Sequence, residues 1–338
     1  MRTDVTVIMP AHNAEQWIGP AIASVLAQTY EAWELWVLEN GSTDRTLEVA
    51  RRFEGSRIRV FDLGPVGFQG ALQFGIESAG SEWLARMDAD DIMLPERLQV
   101  QMDFIAEHPE IALVSSGFGM MTPFGHIFER LPAIETREVD RAFLGIGRRR
   151  FGDPCTVFSR RAALEAGGLD PEFSMGDVPL WFRILERGKG WQLGRPLYVY
   201  RLSPRSMSKN AAFIKECMRA RQKYAPEIMS AAFPSEVRPG SFWGFIVLLE
   251  MLAGDTDCLR QAILELEREG DFSEEAQRMR RLSRGGRLVS TAYRYRYRRR
   301  YRRRTDWEKA MAHFLNRSAI FEERGMVEEG IGEKKAYA

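Results

Sequence analysis

Over its first 115 residues the chain alternates short β-branched runs with helical apolar stripes, and that rhythm leaves few folds open. Val5-Thr6-Val7-Ile8-Met9, bounded by Pro10, reads as a first and central strand. Ile18, Ile22, Val25 and Leu26 then recur at helical spacing. Leu35-Trp36-Val37-Leu38 is a second strand that runs into Glu39-Asn40-Gly41-Ser42-Thr43-Asp44. Gly41 supplies a permissive turn there, and Ser42 or Asp44 can cap a helix carrying Leu47, Ala50 and Phe53. Arg57 to Leu63 is a third strand, and Gly67 to Ala79 a helix with Leu72, Ile76 and Ala79 on one side. Trp83-Leu84-Ala85 is a fourth strand. Leu98, Met102, Ile105 and Ala106 mark one more helix, and Ile111 to Ser115 one more strand. Such alternation predicts an α/β fold with a mostly parallel, right-handed central sheet flanked by helices.

The fourth strand ends in Arg86-Met87-Asp88-Ala89-Asp90-Asp91, which places three carboxylates within four residues. In an open parallel sheet such a turn lies at the carboxyl edge of the strands, where ligands bind. Carboxylates this close repel one another, and a divalent cation with a phosphate behind it relieves the repulsion. The plainer reading is a solvated acidic turn capping the helix opened by Pro95-Glu96-Arg97-Leu98. The turns after the first, second and fourth strands share one edge, so Asn13, then Glu39, Asn40 and Asp44, then Asp88 and Asp90 converge on one polar crevice.

Past Thr122 the rhythm loosens. Val139 to Leu144 suggests a helix, Cys155-Thr156-Val157-Phe158 a strand, and Arg161 to Ala166 a short helix ended by Gly167-Gly168. Leu180, Ile184 and Leu185 form a helical face behind Gly176-Asp177, and Leu197 to Arg201 is a late strand. From about Ser206 the pattern reads as helical to the end.

Several chemistries are excluded by what is missing. The first strand is followed by Pro10-Ala11-His12-Asn13, with neither a Gly-x-x-x-x-Gly-Lys phosphate loop nor a Gly-x-Gly-x-x-Gly turn. Cys155, Cys217 and Cys258 are far apart and fit no zinc spacing, so they read as reduced thiols. No charged-then-apolar leader precedes Val5, and the apolar run Phe242 to Leu252 is too short to span a bilayer. The expected location is cytoplasmic.

Five stretches in this order and spacing resemble the nucleotide-binding half of a family 2, GT-A fold (Rossmann-like) glycosyltransferase. They are Val7-Ile8-Met9-Pro10-Ala11-His12-Asn13, Ser24 to Tyr30, Gly41-Ser42-Thr43-Asp44, Ala85 to Asp91 and Pro95-Glu96-Arg97-Leu98. The resemblance implies a nucleotide-diphosphate sugar donor, Mn2+ or Mg2+, and transfer to an acceptor hydroxyl with inversion. Asp90 matches the metal-holding carboxylate of the Asp-x-Asp motif, and Asp88 the carboxylate on the ribose or, through water, on the metal. Pro10 and Asn13 match the loop that skirts the base and ribose. Arg86 either strengthens the field at the diphosphate or pairs with a neighbouring acid. Gly176-Asp177-Val178-Pro179-Leu180-Trp181-Phe182-Arg183 matches the motif that carries the general base, which nominates Asp177; an N-cap is its simpler role. Trp181 walls the acceptor pocket or, by the favoured reading, packs in the core.

The chain departs from that pattern where Glu39-Asn40 stands for Asp-Asp, where Pro65 and Gln73 stand for asparagines, and where Gly176 stands for an acid. Asn40 can meet the imide of uracil through its amide oxygen, or another base through its donor. Residues 1–115 are expected to hold the donor, 116–207 the acceptor, and 208–338 to form a helical C-terminal extension.

Within that extension Arg278 to Arg304 contains thirteen arginines and no acid, against a formal charge of +1 for the whole chain. Tyr293, Tyr297 and Tyr301 fall four apart, on one face of a helix. An anionic membrane surface, which attracts about 1 kcal/mol per well-placed basic residue, is the favoured partner. It would put the enzyme at the inner face of the plasma membrane, beside a glycan or lipid-linked acceptor. A solvated helix without a partner comes next and nucleic acid last. The alternative for the whole chain is a non-catalytic relative of the same fold, recruited by this segment as a binding protein.

Overall fold

The computed structural model describes residues 3–121, 127–130, 136–141, 144, 151, 153–174 and 177–201, with Glu216, Arg219, Ala220, Lys223, Tyr224 and Ala225. Strand β1 (Val5–Ala11) is buried along its whole length, as a β-branched run covered on both faces must be. It pairs in parallel with β2 (Trp33–Glu39), and β2 with β3 (Ile58–Asp62). On its other side β1 pairs in parallel with β4 (Trp83–Arg86). The sheet continues through β9 (Val157–Ser159), β6 (Ile111–Met121) and β10 (Lys189–Arg201) to the two-residue β5 (Ile92–Met93). Two short strands, β7 (Ile127–Arg130) and β8 (Arg137–Val139), pair with β6 and β10. The chain thus winds outward from β1 through β3, then returns to place β4 on the opposite flank. The gap between the ends of β1 and β4 is the point where strand order reverses, and ligands of such folds bind there.

Side-chain alternation assigns the helices to two layers. Val5, Val7, Met9, Leu35 and Val37 point to the layer of α1 (Ile18–Leu26), α2 (Thr46–Arg51) and α4 (Arg97–Glu107). Ile8, Trp36, Leu38 and Leu84 point to the layer of α3 (Gly67–Ser78), α5 (Arg160–Glu165) and α6 (Asp177–Ile184). Trp181 is 1% exposed, lies edge-on to Phe158 and donates from Nε1 to Asp153 Oδ1 at 2.9 Å. That is the core role.

Three details correct the expectations. Val139 ends strand β8 and is antiparallel to β10, so no helix starts there; Arg141 and Leu144 beyond it are helical. Cys155 belongs to a 3-10 turn (Asp153–Cys155), and the strand after it starts at Val157 and lies antiparallel to both β4 and β6. The late strand begins at Lys189, eight residues before the Leu197 at which its apolar run becomes legible. The helical reading of residues 208–338, including Arg278 to Arg304, otherwise lies outside the described residues. No helix among the described residues is long and apolar enough to cross a membrane.

Gly75 sits where α3 crosses the sheet, and a Cβ there would lie 3.0 Å from Ile8 Cγ2 and 3.1 Å from Leu38 Cδ1. Gly75→Val should therefore overpack this contact and cost about 1–3 kcal/mol of stability. Urea unfolding followed by tryptophan fluorescence would show it as a lower midpoint.

Candidate active site

The site is built from loops at the carboxyl ends of β1, β2 and β4, tied together by side chains. Pro10 has no N–H, and its position explains why that is tolerated in a central strand. The Ile8 carbonyl accepts from Met87 N at 3.2 Å, so alternate residues of β1 face β4. Two residues on, at Pro10, β4 has already ended and no donor is needed. On the other side the ladder continues, with Asn40 N donating to the Ala11 carbonyl at 3.0 Å.

Asn13 follows with φ 50, a left-handed conformation that asparagine tolerates. Its Oδ1 accepts from Thr43 N at 2.9 Å, and its own N–H donates to Ser42 Oγ at 3.0 Å. Glu39 is 2% exposed and accepts from Ser42 N at 2.6 Å and Gly41 N at 3.2 Å, so its carboxylate shapes its own turn. Gly41 takes φ 77, and a Cβ added there would lie 2.8 Å from Pro65 Cα, so no side chain fits. Asn40 donates from Nδ2 to the Ala11 carbonyl at 3.1 Å, which uses one of its two amide hydrogens and fixes the orientation of the amide. Asp44 accepts from Thr46 N at 2.9 Å and Glu15 N at 3.2 Å; it opens α2 and pins the β1 loop.

The acidic turn is held from behind by two neutral side chains and one buried guanidinium. Gln28 donates to the Leu94 carbonyl at 2.7 Å and accepts from Leu98 N at 3.0 Å. Ser24 accepts from Met93 N at 3.1 Å. Arg97, fully buried, donates from Nη2 to the Arg86 carbonyl at 2.9 Å and from Nε to Gln101 at 2.9 Å. Three of the stretches quoted above are thus bound to each other as one scaffold.

Its front carries the charge. Arg86 is 3% exposed, and its guanidinium lies 2.7 Å from Asp88 and 3.8 Å from Asp177. Asp177 opens α6 and is 8% exposed. The carboxylate nominated as base and the first carboxylate of the acidic turn therefore converge on one cation, across the two sides of the sheet's rim. Burial opposes the charge on Arg86, but Asp88 and Asp177 overcome it and hold the guanidinium protonated. Burial raises Asp177, Arg86 pulls it down and Asp88 pushes it up, and the balance is a raised pKa. Burial, with Asp88 beside it, raises Asp90 to about 7. Asp91, fully buried, is raised by burial and by its two neighbouring acids.

Sequence reading missed three participants. Tyr198 of β10, fully buried, accepts from Asp88 N at 3.1 Å. Arg201 donates from its backbone N–H to Asp91 at 2.7 Å and from Nε to the Asp90 carbonyl at 2.6 Å. Arg97 lies over the Tyr198 ring. Only Arg97 stood inside a quoted stretch; the others come from a strand more than a hundred residues later, which no local spacing connects to the turn.

Among the described residues no three His, Cys, Asp or Glu side chains form a metal cage. The donor set still fits a hard divalent cation. Mg2+ and its analogues take one or two carboxylates and complete their shell with substrate phosphates and water. Asp90 is a half-buried carboxylate whose charge Arg201 and Arg86 offset only in part, and Asp91 beside it is fully buried.

A folded pKa above the unfolded value means that ionised Asp90 costs stability. That cost opens as pH rises past about 4, is complete above about 7, and is absent below both values. In EDTA, Asp90→Asn should match wild type near pH 3.5 and exceed it at pH 8 by on the order of 2–4 kcal/mol. Mn2+ should close that gap by stabilising wild type alone, as thermal melts across the pH series would reveal.

The model of glycosyl transferase family 2 matches residues 6–165. The O-antigen biosynthesis glycosyltransferase WbnJ of Escherichia coli is 26% identical over 223 residues, covering 63% of this chain and 85% of WbnJ. The E. coli UDP-Glc:alpha-D-GlcNAc-diphosphoundecaprenol beta-1,3-glucosyltransferase WfgD is 35% identical over 105 residues, covering 31% of this chain and 42% of WfgD. Among solved structures, S. aureus TarS 1-349 in complex with UDP-GlcNAc superposes with a TM-score of 0.56 at 16% identity, over 87% of this chain and 92% of that one.

Proposed function

Since this chain is a glycosyltransferase carrying a family 2 domain of GT-A fold, we propose that it moves a sugar from a nucleotide diphosphate to an acceptor hydroxyl with inversion. The observation that carries this reading is the sharing of Arg86 by Asp88 and Asp177, which sets an acid of the acceptor side against the acidic turn of the donor side. Residues 1–115 hold the donor and 116–207 the acceptor.

Asp90 would hold Mn2+ or Mg2+, with Asp88 beside it on the ribose or, through water, on the metal. When bound, that cation neutralises the charge that develops on the departing diphosphate. Pro10 and Asn13 lie along the base and ribose. Asn40, oriented by the bond from its amide nitrogen to Ala11, presents an oxygen suited to the imide N–H of a uracil-type base. Glu39 keeps that loop in shape. Asp177 takes the proton of the attacking hydroxyl, and burial raises its affinity for that proton above an ordinary carboxylate's.

The product is a cell-surface or lipid-linked glycan. WbnJ is named for O-antigen biosynthesis and WfgD for a diphosphoundecaprenol-linked acceptor, and both support this class. The bound UDP-GlcNAc of TarS supports a UDP-sugar donor. The thirteen arginines from Arg278 to Arg304 bring the enzyme to the anionic surface where such acceptors reside.

A thermal-shift panel of nucleotide sugars with Mn2+ or Mg2+ names the donor, because a ligand raises stability only by binding the folded state. Asp90→Ala should abolish the metal-dependent shift and turnover. Asp177→Ala should keep the shift and lower transfer by roughly 10²–10⁴-fold. Unimpaired transfer by the Asp177 variant would remove the assigned base.

A further inference from the structure

Arg86 is the only described guanidinium that touches a carboxylate from each side of the cleft. It meets each acid through a different nitrogen, Nη1 to Asp88 at 2.7 Å and Nη2 to Asp177 at 3.8 Å, so neither carboxylate takes both arms of the guanidinium in a bidentate fork. Phe68 lies under the guanidinium, 4.9 Å from ring centroid to Cζ, and offers a face across which a planar cation can slide. Behind it, the strand end is rigid: Arg86 N donates to the Thr156 carbonyl at 2.8 Å and the Arg86 carbonyl accepts from Arg97. A fixed backbone thus carries a head group placed between two acids, the nearer being Asp88.

We infer that Arg86 is a positioning residue shared between the donor-side acid and the base: it holds Asp177 ionised and aimed, and it ties that state to the occupancy of Asp88. A partner arriving at Asp88, whether cation or ribose hydroxyl, competes with Arg86 for the nearer carboxylate and leaves the guanidinium to Asp177. Donor binding then readies the base, and an empty donor site leaves it under weaker hold. This role rests on the assignment of Asp177 as the base and goes beyond it, since it links two halves of the site that the assignment treats separately.

A stability cycle in the full chain tests the sharing without any substrate. Arg86→Gln should lower the urea midpoint. The loss should shrink in the Asp88→Asn background, shrink also in Asp177→Asn, and vanish when both acids are replaced; Arg86→Lys should keep most of the wild-type midpoint. Equal losses in every background would make Arg86 a packing residue. A loss that shrinks with Asp88→Asn alone would make it private to that acid, and either outcome overturns the proposal. If Arg86→Gln fails to fold, the variant that also carries Asp88→Asn and Asp177→Asn must fold, and its failure to do so counts against sharing.

Turnover supplies the second measurement. Residues that act as one unit lose rate non-additively. Arg86→Gln should lower kcat by on the order of 10²-fold, and Arg86→Gln with Asp177→Asn should be no slower than Asp177→Asn alone. A further 10²-fold loss in the double variant would refute the link. Absence of turnover by wild type would sink the base assignment and leave the stability cycle to decide on Arg86.

Discussion

Negative charge crowded at one rim of a sheet is the constraint around which the rest of this structure is arranged. Asp88, Asp90, Asp91 and Asp177 are all half-buried or buried, and ionised acids removed from water are costly unless compensated. The chain compensates only some of them. Asp88 and Asp177 share a guanidinium, and Asp91 receives the backbone N–H of Arg201. Arg201 and Arg86 offset the charge of Asp90 only in part, and burial with Asp88 beside it leaves its proton affinity raised. The protein thus leaves a demand for positive charge at the acidic turn.

Compensation is paired with stiffness. The acidic turn is gripped from behind by Gln28, Ser24 and Arg97, and the loops across from it by Asn13, Glu39 and Asp44. Most of these contacts run from a side chain to a backbone N–H or carbonyl, so they fix the path of the loops and not merely their proximity. Beyond the acidic turn the same logic appears at Asp170. Burial would raise it, but Lys223 and Tyr224 hold it down to about 2, and Gln69 donates to its carbonyl at 2.6 Å. The segment that leads to Asp177 is therefore pinned from α3 and from the residues near 224.

What was legible in the sequence follows from the range of the interactions involved. β1, α1, β2 and α3 are each set by a local apolar period, and the structure places them as that period predicts. The resemblance to family 2 enzymes carried Asp177 to the rim, which no local pattern would have done. Tyr198 and Arg201 escaped because they act through register: β10 pairs with β6 along its length and with β5, and this brings its end against a turn far away in sequence. β9 escaped for a related reason. Three residues wedged antiparallel between β4 and β6 leave too short a signature to announce their direction. Gln28 and Arg97 lay in view as parts of quoted stretches, yet only coordinates show that they are braces and not reagents.

Pro10 has a consequence for the seam between β1 and β4. In a parallel sheet a strand offers alternate N–H groups to its two neighbours, and the even-numbered residues of β1 face β4. An imino acid at position 10 has no hydrogen to offer on the side where β4 has already ended, while the ladder toward β2 proceeds to Asn40. The seam is in this sense a zipper stop: beside the acidic turn β1 carries no amide hydrogen with which a further rung toward β4 could close.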